Sequence, residues 1–147
     1  MSDTDLVMTR IFDAPRAVVY RAFTDPEQLA RWFGPVGWTV PPGTVDLVAR
    51  PGGHQRFTMV NDADPAQTVP IDMAFTEVVE NELLVGTEDM SAVDGFPGDT
   101  LTVRFAFHDE PDGRTRLVLT HSPYPPAWSA GANEAWEASF TKLDKLF

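Results

Sequence analysis

Apolar and polar positions change period three times along this chain. Over DLVMTRIFD (5–13) the period is two: Leu6, Met8 and Arg10 fall on one face, Val7, Thr9 and Ile11 on the other, which predicts a strand. The period then turns helical. In DAPRAVVYRAFTD, Val18, Val19, Ala22 and Phe23 form an apolar stripe, Pro15 suits a first helical turn, and Asp13 is placed to cap it. DPEQLARWF repeats the device, with Asp25 as N-cap, Pro26 at the first helical position, and Leu29, Trp32 and Phe33 turned inward. Gly34-Pro35 stops that second short helix.

From there to about residue 122 the chain is strand-like. The predicted strands are 39–49, HQRFTMVN (54–61), PIDMAFTEVVE (70–80), ELLVGTE (82–88), DTLTVRFAFHDE (99–110) and TRLVLTHS (115–122). Turn signals separate them: RPGG, NDADP, EN, DGFPGD and EPDGR. Gly52-Gly53 reads as a tight hairpin turn that needs positive φ. A strand follows that turn, whereas a phosphate-cradling loop would lead into a helix. After it, Phe57 and Met59 form the core side and His54 and Arg56 the exposed side. Val103, Phe105 and Phe107 alternate with Thr102, Arg104 and His108, so this strand buries one face. The last segment, PPAWSAGANEAWEASFTKLDKLF, places Ala132, Trp136, Phe140, Leu143 and Phe147 every three or four residues, which predicts one long amphipathic helix. The stripe Trp136, Phe140, Leu143 is expected to be its largest contribution to the core.

The order is strand, two short helices, about six strands, long helix. An antiparallel sheet with one apolar face must cover it, and the final helix is the natural cover. This implies an α+β fold in which a curved antiparallel sheet wraps a long C-terminal helix, with room left between them and the short helices closing one end. No linker or repeat divides the chain, so residues 1–147 are expected to form a single domain.

Composition narrows the functions. Hydrophobic residues make up 43% of the chain, enough for a core without metal or disulfide staples. Cysteine is absent, which excludes thiolate metal sites and cysteine nucleophiles. The net charge of −11 repels phosphate backbones and anionic membrane surfaces, so neither nucleic acid nor membrane is an expected partner. No apolar run is long enough to span a bilayer, and MSDTDLVMTR lacks the basic and apolar regions of an export signal. A cytoplasmic location is the expectation.

Three stretches resemble the family named after the activator of heat-shock protein 90 ATPase (the AHSA1-like family of the SRPBCC superfamily, with the START and birch-pollen-allergen-like proteins). They are FDAPRAVVYRAFTDPEQLARWFGP, DLVARPGGHQRFTM and AWEASFTKL. Where many members have Gly-Trp in the last helix, this chain has Ala135-Trp136. The resemblance covers nearly the whole chain and implies the helix-grip fold. It also implies one of two roles: holding a small molecule between sheet and helix, or a chaperone-related protein interaction tied to stress response. The namesake co-chaperone carries an additional N-terminal domain, which is not expected here.

Candidate chemistry is sparse. Trp32, Phe33 and Trp38, crowded around Gly34, Pro35 and Gly37, are expected where the helices meet the open end of the sheet. With Phe57, Met59, Met73 and Phe75 from the strands and Trp136 from the long helix, they are the candidate wall of an apolar cavity; methionines adapt to varied apolar shapes. His121 shares a face with Leu117 and Leu119 and is expected to point inward near the cavity mouth, either as a satisfied structural histidine or as a group polarising a ligand. His54, His108 and His121 lack ligand spacing, so no metal is expected. Asp72, Glu77 and Glu88 lie in predicted strands, and an acid forced to face the cavity would titrate high; spacing does not select among them. Ser122, Ser129 and Ser139 lack a nucleophile motif, and no nucleotide-binding signature supports a cofactor. The chain is therefore read as a non-catalytic binder of an unidentified small apolar or amphipathic ligand. The alternatives are a co-chaperone-like module with a chaperone partner and a cyclase- or hydrolase-like enzyme; no catalytic residue is assigned.

Overall fold

The computed structural model describes residues 5–91, 95–96 and 98–147. Strand β1 (Leu6–Phe12) leads into helices α1 (Arg16–Thr24) and α2 (Pro26–Trp32). Strands β2 (Trp38–Thr39), β3 (Asp46–Val48), β4 (His54–Asn61), β5 (Thr68–Val79), β6 (Leu83–Asp89), β7 (Thr100–Glu110) and β8 (Arg114–Ser122) follow, and α3 (Ser129–Asp144) ends the order. The strands pair antiparallel in the order β1-β8-β7-β6-β5-β4-β2, with β3 also on β4. The result is an α+β helix-grip fold, a curved sheet closed around α3.

Three local expectations are corrected. The strand expected over 39–49 is two short strands separated by a 3-10 turn at Pro42–Thr44. Pro41 and Pro42 have no N–H for a ladder, and their carbonyls instead accept from Thr44 and Val45. Asp13 does not cap α1; Pro15 occupies the cap position without a side-chain bond, and its carbonyl accepts from Val18 and Val19. Val18 is 43% exposed, and the buried face is Val19, Tyr20, Ala22 and Phe23. Packing on β7 sets that face: Tyr20 meets Phe107, and Phe23 meets both Phe105 and Phe107. The turn expected at DGFPGD has Asp94 and Pro97 outside the described residues.

Other local devices act as read. Asp25 accepts from the Glu27 N–H at 3.0 Å and Pro26 opens α2. Gly34 and Gly37 take φ of +97° and +95°, a region open to glycine at little cost, and so turn the chain into the sheet. At the Arg50–Gly53 turn, Gly52 has φ +82°, and a Cβ on Gly53 would lie 2.1 Å from the Val48 carbonyl oxygen. Both glycines bond across to Phe75, which fixes the start of β4 against β5.

The core lies between the concave sheet face and the helices. β7 contributes Leu101, Val103, Phe105 and Phe107, and β8 contributes Leu117 and Leu119. Trp32 is fully buried and its indole N–H donates to the Ala22 carbonyl at 2.8 Å, which ties α2 to α1. Helix α3 is buried mainly at its C-terminal half, through Phe140 (1% exposed) and Leu143 (0%). Trp136 is only partly buried, so it is not the core residue expected of the stripe. Phe140 packs edge-on against Phe12 at 5.5 Å and lies 6.3 Å from Trp32. Arg10, on the concave side of β1, crosses the Phe140 ring at 5.9 Å and pairs with Glu137 (2.7 Å) and Asp144. Residues 129–138, by contrast, include no fully buried side chain, and no side chain caps the helix start.

Phe140→Ala is expected to cost about 3–5 kcal/mol, as for other emptied aromatic core sites. Asn133→Ala, on the loosely packed half of α3, should stay within about 0.5 kcal/mol of the parent. Reversible urea denaturation measures both; a Phe140→Ala loss under about 1 kcal/mol would contradict this anchoring.

Candidate functional site

Where α3 is loosely packed, a cavity of about 230 Å³ opens beneath it. Phe33 and Pro35 from the segment after α2 line one side, with Met59 of β4 and Ile71 of β5. Glu88 of β6, His121 of β8 and Tyr124 beyond it line the other, and Ala132, Ala135, Trp136 and Ser139 of α3 form the roof. Small residues at 132 and 135 keep the helix from filling the space. Other depressions are larger, up to about 440 Å³; the largest of these is lined mostly by exposed residues, among them Ala17, Val18 and Arg21.

Register explains which groups reach the cavity. His121 pairs with Val103, Val103 with Gly86, and Gly86 with Phe75, so these four positions form one row across the concave face. Leu84, Gly86 and Glu88 alternate onto that face. Met73 packs over Gly86, where a Cβ would sit 2.8 Å from both the Met73 Cγ and the Ala74 carbonyl oxygen. The irregularity between Phe75 and Glu77 lies beside this row.

The structure brings Phe33, Met59, His121 and Trp136 together at the cavity. Trp32, Phe57, Met73 and Phe75 are buried in the surrounding core and do not line it. Trp32 and Phe57 back the wall instead, Trp32 packing at a tilt on Phe33 and Phe57 edge-on to it, at 5.3 and 4.6 Å. Trp38 is partly buried outside the lining, where its carbonyl accepts from Lys142 Nζ at 3.3 Å. Sequence reasoning missed Tyr124, which sits in a proline-flanked loop with no period to orient it, and left Glu88 as one of three candidates. Asp72 and Glu77 are exposed. In ELLVGTE the set Leu83, Val85, Thr87 is more apolar than Leu84, Gly86, Glu88, so alternation alone favours the wrong face. The pairing of Glu88 with buried Leu101 and Met73 carries the signal. Of the other histidines, His108 is exposed and His54 Nε2 lies 2.8 Å from Asp46.

The electrostatics are unusual for so small a space. His121 is 7% exposed, and neither ring nitrogen has a hydrogen-bond partner among the described residues. Burial lowers its pKa to about 4, so the imidazole is neutral at neutral pH. Its ring meets Trp136 edge-on at 5.7 Å and Tyr124 at 5.5 Å. Burial also raises Glu88 to about 7. Tyr124 is raised as well, first by burial and then by the Glu88 charge. No lysine or arginine lines the cavity. The Ser139 hydroxyl donates to the Ala135 carbonyl at 3.0 Å. No group of three or more metal-ligating side chains occurs among the described residues, and none of their helices is long and apolar enough to cross a membrane.

The model of the family described as Activator of Hsp90 ATPase homolog 1-like protein matches residues 13–147. The chain belongs to this family. Among solved structures, the chain is similar to protein CV1439 from Chromobacterium violaceum, with 25% identity, TM-score 0.85, and coverage of 99% of this chain and 97% of that one. It is also similar to the AHSA1 protein from Silicibacter pomeroyi, with 27% identity, TM-score 0.79, and coverage of 96% and 95%. Protein NE0264 from Nitrosomonas europaea, 24% identical with TM-score 0.81 over 99% and 95% of the two chains, shares the fold. No curated protein matches this sequence.

Glu88 and His121 give stability opposite pH slopes. Folded Glu88 keeps its proton up to about 7, whereas the unfolded chain releases it near 4.5, so stability falls as pH rises from 4.5 through 7. His121 loses stability as pH falls from 6.5 through about 4. Glu88→Gln removes the first cost. Relative to the parent it should gain on the order of 1–3 kcal/mol at about pH 8 and close to nothing near pH 4.5. Urea denaturation at both pH values checks this, and an equal difference at both would show that Glu88 is not held protonated. In an NMR titration the His121 ring should stay neutral from about pH 8 to 5.5, its nitrogen shifts never reaching those of an imidazolium.

Proposed function

We propose that this AHSA1-like protein binds a small amphipathic molecule in the cavity under α3, with the apolar body against Phe33, Met59, Ile71 and Trp136 and the polar end toward His121, Glu88 and Tyr124. The observation that carries this reading is the asymmetry of the wall: one side apolar, the other holding three polar side chains, one of them a buried imidazole without partners. A buried polar group without a hydrogen bond costs about 1–3 kcal/mol, and a ligand that supplies the bond recovers part of that. The space is below the usual ~300–1,000 Å³ of ligand pockets, which favours a short molecule over a lipid with long chains.

Recognition, and not turnover, is what the arrangement supports. Among the described residues no acid–base pair in the cavity is hydrogen-bonded, and the Ser139 hydroxyl is committed to the backbone of its own helix. The co-chaperone alternative would call for a wide exposed apolar patch. The large exposed apolar side chains among the described residues are valines and one isoleucine, several on separate elements: Val18 on α1, Val36 before β2, Val69 and Val79 at opposite ends of β5.

Octanol, an uncharged probe with a short tail, is expected to bind with a dissociation constant between micromolar and millimolar and to change tryptophan fluorescence through Trp136. Met59→Trp, which fills the apolar end, should weaken binding by about tenfold or more while the protein stays folded. Isothermal titration calorimetry reads both. Absence of octanol binding up to millimolar, with the parent protein folded, would defeat the cavity reading.

A further inference from the structure

Among the described residues, the cavity lining holds one carboxyl and no cationic side chain to balance it. Glu88 faces a space lined by aromatic and aliphatic side chains; Arg10 is engaged with Glu137 and Asp144, Lys142 with the Trp38 carbonyl, and Arg104 of the neighbouring β7 is exposed to solvent. The titratable groups that share the described lining with Glu88 are His121 from β8 and Tyr124 from the loop after it, Tyr124 being close enough to feel the Glu88 charge; α3, β4, β5 and the segment after α2 add none. Glu88 is half-buried and holds its proton to about pH 7 in place of a charged partner, and a cation brought in by a ligand stabilises its ionised form.

From this geometry we infer that the ligand is a primary amine with a short apolar tail, its ammonium seated among Glu88, His121 and Tyr124. This rests on the cavity reading above and makes it specific. An ammonium has three N–H donors and no acceptor. The site offers three acceptors: the Glu88 carboxylate, one nitrogen of a neutral His121, and the Tyr124 hydroxyl oxygen. Tyr124 and Trp136 form T-shaped pairs with the His121 ring, at 5.5 and 5.7 Å between centroids, so the imidazole is held in place by aromatic rings and its nitrogens stay free to accept. The formal charge of −11 on the chain draws cations to its surface and repels anionic competitors such as fatty acids.

A carboxylate ligand would set two acids together and bind best with both protonated; an amine binds best with Glu88 ionised. The two therefore depend on pH in opposite directions. Alkylammonium groups stay charged well above neutral pH, so over the range tested only the protein titrates.

The test is calorimetric titration with octylamine, octanol and octanoate at about pH 8, 7 and 6, on the parent protein and on Glu88→Gln. Octylamine is expected to bind about tenfold or more tighter than octanol at pH 8, and its affinity should fall by up to about tenfold per unit as pH drops below 7. Glu88→Gln should erase both the preference and the pH slope, and far-UV circular dichroism reports separately that the variant is folded. Octylamine no tighter than octanol in the parent, an affinity that is level or rising as pH falls, or an unchanged preference in a Glu88→Gln protein that still binds octanol would each overturn the amine assignment and leave the cavity reading standing. If Glu88→Gln binds neither probe, the pH slope of the parent decides alone. Failure of all three probes on the folded parent overturns the cavity reading together with the amine.

Discussion

Everything about the site depends on how unevenly α3 is held. Phe140 inserts between Phe12 and Trp32, Leu143 is fully buried beside it, and Arg10 reaches over the Phe140 ring to pair with acids on either side of it in the helix. This fixes the C-terminal half of the helix against the sheet. The N-terminal half then runs on over the concave face without a buried side chain of its own among residues 129–138. A helix is stiff, so anchoring one end sets the height of the other above the sheet. The cavity is the space that this leverage leaves, with Ala132 and Ala135 too small to close it.

The same geometry explains the unusual polar groups. In a filled core, an imidazole with two unpartnered nitrogens and a carboxyl held near neutrality would be a plain cost. Here both border a space that a ligand can enter. The strand register that carries them depends on two glycine features: the turn at 52–53 that starts β4 against β5, and Gly86, beside the site, which leaves room for Met73 over β6.

Family membership and structural likeness agree with this architecture across nearly the whole chain. They fix the fold and leave the ligand to the side chains that face the cavity. A fold hosts many functions, and the one proposed here rests on the set Glu88, His121, Tyr124 and Trp136 under one helix.

Much of the fold was legible because it is written in local periods. The alternation in β1, β4, β7 and β8, the Asp25-Pro26 cap and the glycine turns each have a short-range physical cause, so they could be read from a single sequence. The side of His121 was legible for the same reason, since Leu117 and Leu119 share it. The failures were cases where distant contacts override local preference. Pro41 and Pro42 split an apolar stretch into two strands, and β7 rotated the buried face of α1 away from Val18. Glu88 lies on the less apolar alternation of β6, so only pairing with β5 and β7 turns it inward. Trp32 and Trp136 look alike in sequence, each an aromatic on an apolar helical stripe. One is sealed by α1 and the other left at a cavity wall, because the height of α3 above the sheet is set at Phe140 and Leu143, and local spacing carries no record of a distance between elements.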